Sequence, residues 1–299
     1  MEYAPIILFA YNRPEHLRRT IESLKHNEEA RDSDLFIYSD GPKTPSATLK
    51  VAEVRAYLKT IEGFRQVTAI ERQENMGLAR SVIAGVSEII GRFSRAIVLE
   101  DDLVTSPYFL RFMNEALVRY ENDDLVMQIS GHMFPVEIDT EDDALFLPFT
   151  TSWGWATWKR AWEHFDPAMT GYAVLKKDRD RRRKFNLDGA YAYFRMLEAQ
   201  FKGKIDSWAI RWYLSVFMLD GLALFPVKTL VNNIGFDGSG MHCGYSDRGM
   251  NGPLDADFLL KKYPGVQVNE VCKKKVFACL AGKKSFRKRA VAKLAVWLR

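Results

Sequence analysis

Short apolar runs alternate with stretches of helical periodicity over the first 130 residues, and this alternation limits the folds open to the chain. Pro5–Tyr11 (PIILFAY) is a continuous apolar run, long enough for a buried strand and too short for a helix. Pro14 stands where a first helical turn tolerates it, and Leu17, Ile21 and Leu24 then recur at helical spacing. The pattern repeats with strands at Asp34–Ser39, Gln66–Glu71, Ala96–Leu99 and Leu125–Ser130. Helices are expected around Ala47–Ile61, Asn75–Ile90 and Tyr108–Tyr120, the last opened by Ser106-Pro107. Strand and helix in this order predict an α/β fold with a mostly parallel central sheet flanked by helices. Ligands of such sheets gather beyond the carboxyl ends of the strands. Asn12-Arg13, Asp40-Gly41 and Glu100-Asp101-Asp102 each follow a strand directly, so they are expected to converge on one edge.

The pattern changes near residue 131, which divides the chain into an expected ligand-binding half, 1–130, and a second half, 131–252. A strand is expected at Leu145–Phe149, a short aromatic helix at Trp153–His164, and helices around Phe185–Gln200 and Ser207–Leu219. Asp178–Lys184 reads as a solvated loop or helix start, and Leu222–Val227 as a strand. Residues 232–252, rich in Gly and Asn, read as a loop long enough to be mobile over a site. Residues 253–299 form a tail. From Lys273 to Arg299 it holds ten Lys or Arg and no acid, while residues 1–272 carry 33 basic against 38 acidic residues. A uniformly basic nucleic-acid binder would not divide its charge this way, so no nucleic-acid partner is expected. The three cysteines lack paired metal-ligand spacing and suit a reducing compartment. With no signal-like start and no run of roughly 18–20 apolar residues, a cytoplasmic protein is expected.

Glu100-Asp101-Asp102 is the sharpest chemical signal. Adjacent carboxylates at a sheet edge repel one another, and a hard divalent cation such as Mg²⁺ or Mn²⁺ relieves that repulsion. Such an ion can bridge a diphosphate and neutralise charge as it leaves; the bland alternative is a solvated acidic turn. Asp40 can accept hydrogen bonds from a nucleoside or simply make a turn. Arg13 offers a planar fork to phosphate or base, or is a surface residue. Asn75–Arg80 opens a helix whose N–H groups favour anions, unless it is only a cap.

FAYNRPEHLRRTIESL, IYSDGPK, ENMGLARSV and AIVLEDDLVTSPYFLRFMNEAL, in this order, resemble the blocks of a GT-A fold glycosyltransferase. More narrowly, the set resembles the branch that holds bacterial surface-polysaccharide sugar transferases and the eukaryotic N-acetylglucosaminyltransferase that starts complex N-glycans, with a Glu-Asp-Asp metal motif. SWGWATWKRAW and LVNNIGFDGSGMHC are similar to further blocks of the bacterial members, so the resemblance spans roughly residues 4–245. It implies that Asp102 ligates Mn²⁺ or Mg²⁺, that Glu100 and Asp101 face the donor sugar and ribose, and that Asn12, Arg13, Asp40 and Arg80 belong to the donor site. It also implies a nucleotide-sugar donor, with UDP favoured, and inversion at the anomeric carbon by the hydroxyl of a glycan or lipid-linked acceptor.

An inverting displacement needs a base beside the attacking hydroxyl. Related members often carry Trp-Asp where this chain has Trp208-Ala209. Asp206, about one helical turn earlier, is the substitute base, and it is equally suited to cap the helix beginning at Ser207. Six of the seven tryptophans lie between Trp153 and Trp212, which suits a sugar-binding wall as well as a core. Trp153, Gly154 and Trp155 are the candidates for lining the site, and His242 for touching diphosphate or metal. In the tail, Phe286, Ala290, Leu294, Trp297 and Leu298 recur at helical spacing among basic residues. A basic amphipathic helix of this kind suits anionic lipid, so the protein is expected on the cytoplasmic face of the inner membrane, in lipopolysaccharide or capsule synthesis. Two alternatives stand beside this reading. One is a non-catalytic nucleotide-sugar binding protein, kept open by Ala209. The other is a nucleotidyltransferase, disfavoured because the Gly-rich, Lys/Arg-bearing phosphate loop expected after the first strand is missing, its place taken by Ala10-Tyr11-Asn12-Arg13-Pro14.

Overall fold

The structure, a computed structural model, describes residues 2–238, 249–258 and 260–282. The chain runs β1 (Ile6–Ala10), α1 (Pro14–Lys25), β2 (Asp34–Ser39), α2 (Thr48–Leu58), β3 (Gln66–Glu71), α3 (Leu78–Phe93), β4 (Arg95–Glu100), β5 (Leu103–Thr105), α4 (Phe109–Arg119) and β6 (Val126–Ser130). It continues with β7 (Ala144–Leu147), β8 (Trp155–Trp158), α5 (Lys159–Trp162), α6 (Gly171–Lys177), α7 (Arg179–Phe185), α8 (Tyr193–Phe201), α9 (Trp208–Met218), β9 (Leu222–Pro226) and β10 (Val231–Asn233). A helix over 270–282, α10, closes the described chain.

Among the described residues the main sheet has the strand order β3-β2-β1-β4-β8-β6-β9-β7. The first four strands are parallel; Ile7, for example, pairs with Phe36 of β2 and Val98 of β4. β1 and β2 are buried at every residue, as strands covered on both faces must be. α1 lays Leu17, Ile21 and Leu24 on the core, the stripe its periodicity encodes. β8 runs antiparallel to both β4 and β6, so β4 and β6 point the same way and present their carboxyl ends on one edge. The sheet therefore crosses the division expected near residue 130.

Two expectations are corrected. Trp155–Trp158 is a strand, not part of an aromatic helix. Ala156 pairs with Ile97 on one side and Ile129 on the other, and all four residues are buried. A bulky run that is covered from both faces packs as well on a sheet as on a helix, so its length decided little. The single helix expected over Phe185–Gln200 is interrupted at Leu187, Asp188 and Gly189, whose φ values are 51°, 52° and 93°. Of the two readings of Asp178–Lys184, loop or helix start, the structure has the helix start: the Asp178 carboxylate caps α7 by accepting from the Asp180 and Arg181 amides, each at 2.9 Å.

The C-terminal segment is also more integrated than a tail. Tyr120 Oη donates to the Pro264 carbonyl at 2.8 Å, and Phe146 bridges Val268. α10 buries Cys272, Val276 and Leu280 in the cluster that holds Phe149 and Phe225. The expected amphipathic stretch beyond residue 282 lies outside the described residues. No helix among the described residues is long and apolar enough to cross a membrane.

Candidate active site

The parallel strands end at one acidic corner. β4 closes on Glu100, and Asp101 and Asp102 follow it into a buried turn. Two strand ends meet there. Tyr11, just past β1, donates its amide to Asp101 Oδ2 at 3.2 Å, and Arg13 Nη1 donates to Asp102 Oδ2 at 2.8 Å. The Arg13–Asp102 pair is largely screened from water, with side chains 14% and 9% exposed. Burial pushes the Glu100 carboxyl up to about 8, and the negative charges of Asp102 and Asp101 add to the effect. Burial and the charge of Asp102 likewise push Asp101 up to about 7, against the pull of Arg13 and the Tyr11 amide. Three acidic groups thus face one guanidinium in a poorly hydrated corner, where Glu100 and Asp101 keep their protons to near neutral pH.

The corner has a roof. β10 pairs antiparallel with β5, directly after the acidic turn. The Ile234 amide donates to the Asp102 carbonyl at 2.8 Å, and Asn233 Nδ2 approaches Asp102 Oδ1 at 3.5 Å. Gly235 lies so close that a Cβ there would collide with Asp102 Oδ2 and crowd Arg13 Nη1. Asn251 ties the roof down, accepting from the Asn233 amide at 3.0 Å and donating to its carbonyl at 2.7 Å.

Asp40, at the end of β2, has a different task. Its carboxylate accepts three backbone N–H groups, from Gly41 (3.0 Å), Met76 (2.8 Å) and Gly77 (2.9 Å). It pins the loop that opens α3 to the end of β2. Asn75 Nδ2 reinforces the joint through the Gly41 carbonyl at 2.8 Å. Arg80 is exposed in the first turn of α3 and folds back onto the Met76 carbonyl. Asn12 is half-buried between Tyr11 and Arg13.

An aromatic cavity of about 250 Å³ adjoins the acidic corner, walled by Trp153, Tyr191, Tyr193, Trp208 and Ala209 among others. Two contacts connect them. The Trp208 side chain hydrogen-bonds Glu100, opposing the rise of its pKa. Trp153 meets Phe236, the neighbour of Gly235, edge-on at 5.7 Å. No Asp or Glu stands among the described wall residues.

The structure therefore gathers Arg13, Glu100, Asp101 and Asp102, and places Trp153 on the adjoining wall. Gly154, in the left-handed region at φ 58°, packs on the Phe109 ring under that wall. Trp155 does not line the site. It is 1% exposed and stacks on Trp208 at 5.1 Å, inside the core. Asp206 is exposed, ion-paired to Arg211 at 2.7 Å, and off the cavity wall. The cap of α9 is Ser207, which accepts from the Ile210 amide, so neither expected role of Asp206 matches its surroundings. His242 lies outside the described residues. Sequence reasoning passed over Trp208, Asn233 and Gly235. The motif LVNNIGF contained the last two, but only β10 pairing with β5 reveals that they cover Asp102.

The corner offers the hard carboxylate oxygens that a divalent cation takes. Asp102 would hold it. Among the described residues no three His, Cys, Asp or Glu side chains form a metal cluster. Few protein ligands is the habit of Mg²⁺-like ions bound together with phosphate.

Comparison with known proteins bears on the same region. The model of glycosyl transferase family 2 matches residues 6–201. No curated protein matches. Similar solved structures include the mannosyltransferase PcManGT from Pyrobaculum calidifontis in complex with GDP-Man and Mn²⁺, at 13% identity and TM-score 0.35, covering 52% of this chain and 45% of that one. S. aureus TarS 1–349 is 12% identical with TM-score 0.44, covering 77% and 60%. Mouse xyloside xylosyltransferase 1 in its apo form is 12% identical with TM-score 0.35, covering 73% and 82%. The chain thus spans about half to three-fifths of the first two.

Proposed function

This chain belongs to glycosyl transferase family 2, and from that premise we propose that it moves a sugar from a nucleoside-diphosphate donor, with UDP favoured, to a hydroxyl of a glycan or lipid-linked acceptor, inverting the anomeric carbon. The observation that carries the reading is the buried acidic corner where β1 and β4 end, with Arg13 against Asp102.

Each residue there has a part to play. Asp102 would hold Mn²⁺ or Mg²⁺, which when bound neutralises charge on the departing diphosphate. Arg13, already beside Asp102, has a guanidinium that suits a phosphate oxygen and orients the donor. Asp40 keeps the β2 end and the α3 N-terminus in register, which fixes the floor on which the nucleoside would rest. Asn233 and Gly235 hold Asp102 from above. Trp153 and Trp208 offer apolar ring faces to a sugar held in the cavity, next to Glu100. Membrane attachment through Lys273–Arg299 and a part in surface-polysaccharide synthesis belong to the same proposal.

The lack of a carboxylate on the described cavity wall, where Ala209 stands, favours a second reading: a nucleotide-sugar binding protein without turnover. Incubation with UDP-, GDP- and dTDP-sugars plus Mn²⁺ separates the two. Slow release of nucleoside diphosphate, even to water, is expected from a transferase. Donor binding without release, acceptors included, supports the second reading, and pyrophosphate release would point to nucleotidyl transfer.

A further inference from the structure

Charge is distributed unevenly over the folded body. Residues 171–204 hold ten Lys or Arg against four Asp or Glu, whereas the remainder of residues 1–272 holds 23 against 34. Those residues build α6, α7 and α8, which pack on one another as an outer layer.

An aromatic stack runs through the layer. Tyr172 of α6 lies between Phe194 and Phe201 of α8, with ring centroids 5.7 and 4.1 Å away. Arg182 of α7 sits over Phe194 at 5.2 Å, and Lys176 lies beside Tyr172 at 6.0 Å. The stack surfaces at Phe201, which is 52% exposed, and Val174 on α6 is 41% exposed. Exposed apolar side chains set among basic ones on one face suit an interaction surface, where a single one alone would not.

α10 extends the same side. An open groove of about 500 Å³ separates it from the Leu187–Ala190 corner that follows α7. Asp188, Lys273, Lys274 and Phe277 line this groove, and Asp188 also faces Arg183 at 4.0 Å. Three basic stretches far apart in sequence, 176–184, 202–204 and 273–275, thus belong to adjoining elements.

We infer that the face made by α6, α7, the end of α8 and the start of α10 docks on a negatively charged phospholipid bilayer. Basic heads around half-exposed apolar side chains match an interface where headgroup phosphate overlies acyl chain. A wholly hydrophilic polyanion would use the charges and leave Phe201 and Val174 without a partner. The inference does not depend on sugar transfer, and it gives the folded body a membrane contact separate from residues 283–299.

The test uses the full chain and sedimentation with vesicles of phosphatidylcholine, with and without phosphatidylglycerol. Binding to the anionic vesicles at low salt is expected, fading as salt screens the contact. A triple reversal, Arg179→Glu with Arg183→Glu and Lys184→Glu, should weaken it roughly tenfold or more. The same reversal should leave melting temperature and nucleoside diphosphate release from soluble donor unchanged. A control reversal at Lys50, Lys59 and Lys159 should bind as the parent chain does. Phe201→Ser tests the apolar part and should weaken binding at a salt concentration where charge is mostly screened. Parent-like binding by the triple variant would assign attachment to residues 283–299 alone and overturn the inference. Equal binding to neutral vesicles, or capture by a soluble polyanion with none by vesicles, would overturn it as well. Loss of donor turnover in the parent chain would strike the sugar-transfer reading and leave this one standing.

Discussion

Asp102 is held from three directions, by Arg13, by Asn233 and by the backbone of Ile234, with Gly235 pressed against its carboxylate. Gly235→Ala must therefore move either the acid or the roof. It should lower donor affinity in Mn²⁺ at least tenfold and cost about 1–3 kcal/mol of stability, the usual range for overpacking; titration calorimetry and thermal melting read the two. Asp206→Asn should change turnover less than threefold, because that carboxylate faces Arg211 and solvent; steady-state kinetics check it. Glu100 and Asp101 predict a pH dependence. Their folded values of about 8 and about 7 lie above the ordinary 4.5 and 3.8, so over that interval the folded state binds more protons than the unfolded. Stability from this pair is full below about pH 4 and is lost as pH rises through 8. A cation displaces those protons, so Mn²⁺ affinity should climb from pH 6 to 8 and Mn²⁺ should raise the melting temperature more at the higher pH. These residues stood out in the sequence because three adjacent acids follow an apolar strand, and the burial of Asp101 and Asp102 in the structure sets them apart from the solvated acidic turn that the sequence also allowed. Gly235 did not, since a close approach has no local signature.

The joint between β2 and α3 depends on a single side chain. Asp40→Ala strands three backbone N–H groups and should cost about 3 kcal/mol, typical of losing hydrogen bonds to a charged acceptor; urea denaturation measures it. Donor affinity should fall with it, as the α3 N-terminus loses its place. At this scale the sequence read well where periodicity was clean: β1, β2 and α4 lie within a residue or two of their expected bounds, and α1 carries the expected Leu17, Ile21 and Leu24 stripe. It misled where burial on every side erased the periodicity. The four residues of β8 are buried whichever element they form, and only a vacant slot between β4 and β6 makes them a strand. The break at Leu187–Gly189 was invisible for a related reason. Leucine rarely adopts positive φ, and aspartate, which tolerates it better, carries no local signal of where it will do so.

In the whole molecule, the acidic corner lies at the end of β4 in the main sheet, and the aromatic cavity beside it is walled by the loop before β8 and by α8 and α9. The order of the blocks along the chain made the fold class and the acidic corner readable. The basic outer face was not, because it is assembled from segments that meet only after folding. All of this rests on the acidic corner holding a cation and, with it, a diphosphate. The most direct measurement is calorimetric titration of donor nucleotide into the parent chain and into Asp102→Asn, each with Mn²⁺ and with chelator. The account predicts Mn²⁺-dependent binding by the parent chain that falls at least tenfold in the variant, while both bind alike in chelator. Equal Mn²⁺-dependent affinity in the two proteins would contradict it.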